Sequence, residues 1–239
     1  MTNLRKMVLA YDGNECFDKV MEVLSNSHYK YANDDEQGIY DEYPFDELSY
    51  ELRHLDKDFS FDYSCGATKI VAILNDIVLK IPFTGIAYDY DWLGNPLDEP
   101  EFEDYADYET NYCEIEARVY EEAKKLGIED FFAETIKVND KVYAQPRFVV
   151  DVFDYEDDSE ADYRGAAELR NIYNLTTIPL CVFDSWYKTY DNNTLAKFSE
   201  FISEHKINDL HEKNIALFSD GKFRLIDYSG FCSGTEHTF

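Results

Sequence analysis

Basic residues are scarce in this chain: 22 Lys and Arg stand against 50 Asp and Glu, for a formal net charge of -28. A field of that sign repels nucleic-acid backbones and anionic lipid surfaces, which argues against direct binding to either. Cysteine is sparse too. Cys16, Cys65, Cys113, Cys181 and Cys232 are scattered, odd in number and without a C-x-x-C pair or a His-rich neighbour. That pattern excludes zinc-ribbon spacing and leaves reduced thiols that pack as small apolar residues. No run reaches the about 18 consecutive apolar residues of a membrane-spanning helix. Met1 to Ala10 lacks the charged-then-apolar plan of a secretory leader, so the expected compartment is the cytoplasm. Without a secretory route, the Asn-x-Thr triplets at Asn174 and Asn192 carry no consequence.

What is present is enough for a folded core: 45% of the residues are apolar, with 17 Phe and 20 Tyr. The acidic excess has two readings. It can serve solubility alone, or it can imitate a polyanion and occupy the basic groove of a partner protein.

Along the chain the texture changes twice. Over 1–55, Cys16, Val20, Met21, Val23 and Leu24 recur at helical spacing, followed by an acidic, Tyr-rich stretch through Tyr40 and Tyr50; this is read as a helical preface. From Phe59, β-branched runs at Thr68 to Leu74 and Ile77 to Ile81 flank Asn75 and Asp76, predicting a hairpin. Residues 87–111 hold many Asp and Glu, two Pro and no Lys or Arg, and are expected as an exposed insertion. Ile115, Val119, Ala123 and Leu126 then predict a helix from Cys113, ending at Gly127. Strands are expected at Phe131 to Val138 and Val142 to Ala144, with Gln145 and Pro146 as a connector. Beyond Val152 helical periodicity takes over, around Ala166 to Tyr173 and Leu195 to Ile202, after an acidic run at 154–162. A second hairpin is predicted where Ser219, Asp220 and Gly221 join Ile215–Phe218 to Phe223–Ile226. The expected divisions are 1–55, a strand-rich 56–145 and a helix-rich 146–239. No internal repeat is visible.

The residues that carry chemistry cluster near the end. Asp209-Leu210-His211-Glu212-Lys213-Asn214 precedes the second hairpin, and Asp227 follows it. Phosphoryl transfer needs a carboxylate near the attacking hydroxyl and hard oxygen ligands for Mg²⁺. Taken singly, the same residues also suit helix ends and turns. Upstream, Ser64-Cys65-Gly66-Ala67-Thr68-Lys69 leads into a strand, and Lys80 interrupts the apolar Ile77–Ile81 run, where its ammonium requires an anionic partner or an outlet to water.

This ordered set, from about Phe59 to Phe231, resembles the protein kinase-like superfamily, in the D-L-H-x-x-N form of aminoglycoside and choline kinase-type members. The resemblance implies an α+β, two-lobed fold with a small β-rich N-lobe, one helix and a truncated helical C-lobe. It implies ATP and Mg²⁺ as cofactors, and γ-phosphate transfer to a protein or small-molecule hydroxyl. Asp209 would orient or deprotonate the acceptor, while Asn214 and Asp227 would hold Mg²⁺. Gly66 and Lys69 would cover the phosphates, Lys80 would contact them, and Glu116 would clamp Lys80, with Glu114 as the alternative. Adenine would lie near the Val142–Pro146 connector, including Gln145, and His211 could approach the γ-phosphate. The chain departs from the pattern at Ile207 and Asn208, which replace the His-Arg pair, and at Ser229, which replaces a glycine just before Gly230. Only residues 231–239 follow Gly230, so a standard substrate platform is not expected. The second reading is a catalytically silent binding or inhibitor module on the same scaffold.

Overall fold

A computed structural model describes residues 3–32, 43–66, 68–90, 95–104, 111–151 and 164–229. The acidic run at 154–162, Ala67, Gly230 and Cys232, all singled out in the sequence, lie outside the described residues. Among the described residues the fold is mixed α and β, with helices, two antiparallel sheets and a third that includes one parallel pair, and its internal contacts divide it into two units.

The first unit spans Met1–Glu114 and Ile136–Arg147. Its helices are α1 (Asn3–Leu9), α2 (Glu15–Asn26) and α3 (Tyr43–Leu55). Asn14 starts α2 by accepting a 3.0 Å hydrogen bond from the Phe17 amide, which satisfies one of the orphan donors of a helix start. The helical spacing read from Cys16 to Leu24 is real, since Cys16, Phe17, Val20 and Leu24 form the buried stripe. These helices share one core with a five-stranded sheet: Leu4, Val20, Leu24, Phe45 and Leu52 pack with Ile70, Leu79, Ile81 and Val142.

That sheet contains β2 (Asp62–Cys65), β3 (Lys69–Ile73), β4 (Ile77–Pro82), β7 (Ile136–Lys137) and β8 (Tyr143–Pro146), in the order β2-β3-β4-β8-β7, all antiparallel. The predicted hairpin is β3–β4, closed by the Leu74 amide donating to the Ile77 carbonyl at 2.9 Å. A second sheet joins β1 (Tyr29–Ala32), β5 (Gly85–Tyr90) and β6 (Pro96–Asp104).

Three expectations need correction here. The stretch read as an exposed insertion supplies two paired strands, β5 and β6, and Ala87 within it is fully buried. Acidic residues did not forbid a strand because β6 is an edge: Asp98, Glu99, Glu101 and Glu103 point their charge to water. Its prolines sit at the strand start and on the edge, where a missing N–H is tolerated. Gln145 and Pro146 do not interrupt a strand but end β8, opposite Val78 and Ile77. Pro146 fits because β7 pairs only with Tyr143 and Ala144, leaving that end of β8 uncovered on its other side. Finally, the strand expected from Phe131 begins only at Ile136, because Glu129–Phe131 closes a 3-10 turn first.

Helix α4 (Tyr112–Leu126) opens at the end of the first unit's leading segment and continues into the second, which spans Ile115–Thr135 and Phe148–Phe239. It stops at Gly127, whose φ of +72° is the left-handed geometry that glycine adopts without steric cost. The second unit adds β9 (Val150–Asp151), α5 (Arg164–Ile172), α6 (Leu180–Thr189), α7 (Asn192–Glu204), β10 (Ile215–Leu217) and β11 (Phe223–Leu225). The order β11-β10-β9 is antiparallel, and Gly221 at φ +77° turns the predicted β10–β11 hairpin. Aromatic rings fill this unit: Phe131 stacks on Phe198 at 4.3 Å and meets Trp186 edge-on at 5.1 Å. Trp186 Nε1 donates to the Phe223 carbonyl at 3.0 Å, fixing α6 to the hairpin.

Candidate functional site

The chemistry-bearing residues fall into two groups, one in each unit. In the second unit the chain leaves α7, passes Asp209 and forms a 3-10 turn at Glu212–Asn214 before entering β10. The Ile226 amide donates to the Asn214 carbonyl at 2.8 Å, which extends the β10–β11 ladder by one pair and sets Asp227 beside the turn's exit.

Within that turn Asn214 is 8% exposed and its amide nitrogen donates twice to Asp209, at 2.8 Å to the carbonyl and 2.9 Å to carboxylate Oδ2. His211 reaches the other carboxylate oxygen, with Nε2 3.1 Å from Oδ1. Its Nδ1 accepts from the Lys213 amide at 3.1 Å, so the ring proton sits on Nε2 and is donated to Asp209. The carboxylate is therefore pinned at both oxygens while its side chain stays 47% exposed, fixed in direction yet open to a reactant. Because both donations use the Asn214 nitrogen, its Oδ1 is the atom left to accept; among the described residues no hydrogen bond reaches it.

Asp227 follows β11 and receives a 3.2 Å hydrogen bond from the Ser229 hydroxyl at Oδ1. Ser229 is 2% exposed, so the donor end of this bond is buried. The residue that departs from the glycine pattern thus acts on the carboxylate two positions earlier. Tyr228, 1% exposed, anchors the segment: its hydroxyl donates to the Ala133 carbonyl at 2.7 Å and lies 2.6 Å from Thr135 Oγ1. Neither Thr135 nor Tyr228 was singled out from the sequence, where they lie 93 residues apart.

In the first unit, strand register decides which side chains share a face. Directly opposite residues of antiparallel strands point the same way. Lys80 pairs with Val71 and Tyr143, Val78 with Ile73 and Gln145, and Lys69 with Pro82. Lys69, Lys80 and Gln145 therefore lie on one face of the sheet, opposite to the face of Ile70, Leu79 and Ile81 that joins the helical core. All three are buried, at 2%, 5% and 2% exposure, and each has polar or electrostatic partners. A buried ammonium requires such compensation.

Gly66 occupies the exposed β2–β3 turn, its amide donating to the Lys69 carbonyl at 2.9 Å. Its φ is not in the left-handed region, and a Cβ there would meet nothing within 4 Å. The protein itself thus places no demand for glycine at this position. On α4 the two carboxylates differ sharply. Glu116 is fully buried, whereas Glu114 is exposed, with its amide bonded to Asn111 Oδ1 at 3.0 Å.

A divalent cation fits the donor set of the second unit only in one regime. Among the described residues no group of three or more His, Cys, Asp or Glu could hold a metal. Asn214 Oδ1 and the Asp227 carboxylate are hard oxygen donors. That pair suits Mg²⁺, which keeps water and phosphate oxygens and takes one or two protein ligands.

No family model matches the chain, and no curated protein does. Among solved structures, the streptomycin-ATP-APH(2")-IIa ternary complex is similar at 14% identity and a TM-score of 0.33, covering 77% of this chain and 70% of that one. A likeness at that TM-score carries no argument about this chain.

Proposed function

We propose that the chain is a kinase-like phosphotransferase that uses ATP and Mg²⁺ to phosphorylate a hydroxyl of a protein or small molecule. The observation that supports this most is the pinned, half-exposed Asp209 carboxylate beside a buried Asn214 whose oxygen is left to accept. Asp209 takes the acceptor's proton as its oxygen forms the new bond to phosphorus and the bond to the ADP oxygen breaks. Asn214 and His211 hold the carboxylate so that no rotation is needed at that moment. Asn214 Oδ1 and Asp227 would hold Mg²⁺, which supplies charge neutralisation on the phosphates when bound.

Lys80 would contact the phosphates. Gly66 and Lys69 would cover the triphosphate, where the open space around Gly66 allows close backbone approach. Gln145 would lie beside the adenine.

The test is transfer from γ-labelled ATP with Mg²⁺, using the purified chain alone and with cell extract. Label in an acceptor, lost in Asp209→Ala, is the expected result. No transfer and no hydrolysis above the Asp209→Ala control would refute the assignment.

A further inference from the structure

Ser229 stands where the kinase-like pattern places a glycine, a residue with no side-chain donor. Its hydroxyl lies 3.2 Å from Asp227 Oδ1, and because an ionised carboxylate only accepts, the hydroxyl is the donor. The bond joins two anchored points. Ahead of Asp227, the Ile226 amide donates to the Asn214 carbonyl at 2.8 Å; after it, Tyr228 is 1% exposed and fixed through Ala133 and Thr135. The donor is buried while the carboxylate it serves is partly exposed.

A carboxylate can offer a cation one oxygen or both, and cations differ in what they accept. Ca²⁺ takes carboxylates in either mode at about 2.3–2.6 Å, whereas Mg²⁺ demands near-octahedral ligands at about 2.0–2.1 Å, which the narrow bite of a two-oxygen carboxylate does not fit. Hydrogen bonds to a ligating group orient it and tune the metal it holds. The bond on Oδ1 uses part of that oxygen's acceptor capacity, which favours ligation through a single oxygen.

We infer that Ser229 is a positioning residue that makes Asp227 a one-oxygen ligand and so sets the site's preference for Mg²⁺ over Ca²⁺. The inference rests on the reading of Asp227 as a metal ligand proposed above. It adds a determinant of which cation the site takes, carried by a residue that acts through Asp227.

The experiment is calorimetric titration of a non-hydrolysable ATP analogue into the full chain and into Ser229→Ala, each without divalent cation, with Mg²⁺ and with Ca²⁺. By linkage, the factor by which a cation tightens the nucleotide equals the factor by which the protein tightens that cation's binding to the nucleotide. In the original chain Mg²⁺ should tighten the analogue more than Ca²⁺. Loss of the hydroxyl should cut the Mg²⁺ factor about tenfold, the lower end of what outer-shell partners contribute, and keep or raise the Ca²⁺ factor. Ser229→Thr, which retains a hydroxyl, should keep the original order of the two cations. A Ser229→Ala chain whose two factors fall together, or do not fall, would overturn the inference while leaving Asp227 as a ligand. An original chain in which neither cation tightens the analogue would overturn the metal assignment itself, and this inference with it.

Discussion

Removing a single oxygen in Tyr228→Phe probes the anchor behind Asp227. The ring is 1% exposed and meets Phe132 edge-on at 5.1 Å, and phenylalanine preserves both its burial and that contact, so no cavity term arises. What is lost is the hydroxyl, which bonds the Ala133 carbonyl at 2.7 Å and Thr135 Oγ1 at 2.6 Å. Two buried bonds at about 0.5–1.5 kcal/mol each give about 1–3 kcal/mol. The Thr135 hydroxyl can partly replace the donor, since it already lies 3.4 Å from the same carbonyl, which places the expectation near 2 kcal/mol, or about 4–8 °C in Tm for a chain of this size. Thr135→Val should cost less, because Tyr228 keeps Ala133. The double variant should be non-additive by about 1 kcal/mol, as both hydroxyls serve one acceptor. Urea unfolding of the four proteins gives these values from the midpoints at constant m. An unchanged midpoint in Tyr228→Phe, or strict additivity, would refute the network.

Other expectations follow from the same packing and site. Trp186→Phe loses the bond to Phe223 and part of a 2% exposed ring, and should destabilise by about 2–4 kcal/mol in urea unfolding; a loss below about 0.5 kcal/mol would contradict it. The forked bond from Arg224 holds the Asp220 carboxyl below its ordinary range. Its contribution is therefore present above the usual carboxylate value near 4 and fades as pH falls through the lower folded value. Arg224→Met should flatten that acid-side slope of the urea midpoint, modestly because the Asp220 side chain is 48% exposed; an unaltered slope would count against the pair. Among catalytic variants, Lys80→Ala and Asp227→Ala should abolish labelled-phosphate transfer while Glu116→Ala weakens it less, and equal activity in all three would overturn the roles.

Hairpins were the most legible part of this chain. Asn75-Asp76 and Ser219-Asp220-Gly221 each separate short apolar runs, and period-two alternation then fixes the faces. That same alternation, once register is known, explains why Lys69, Lys80 and Gln145 share a side. Helix α4 and its glycine stop were readable for similar reasons. By contrast α6 went unread, although Pro179 precedes it and Val182, Phe183 and Trp186 mark its buried side, because its aromatic and β-branched content suits a strand equally well. Strands β5 and β6 were hidden by composition, since acidity reports exposure rather than backbone state. The packing of α1–α3 on the sheet could not be read, because periodicity names a buried face without naming its partner. Around the site, the spacing of Asp209 and Asn214 was visible, but the His211 tautomer and the Tyr228–Thr135 anchor depend on long-range or geometric facts that no local pattern encodes.

The most direct check on the proposed chemistry is calorimetric titration of ATP into the chain and into Asp227→Asn, each with and without Mg²⁺. Metal should tighten ATP at least about tenfold, or about 1.4 kcal/mol, in the original chain and leave the variant nearly indifferent. Identical ATP affinities with and without Mg²⁺, or a variant that responds as strongly as the original, would contradict the assignment of Asp227 and the function built on it.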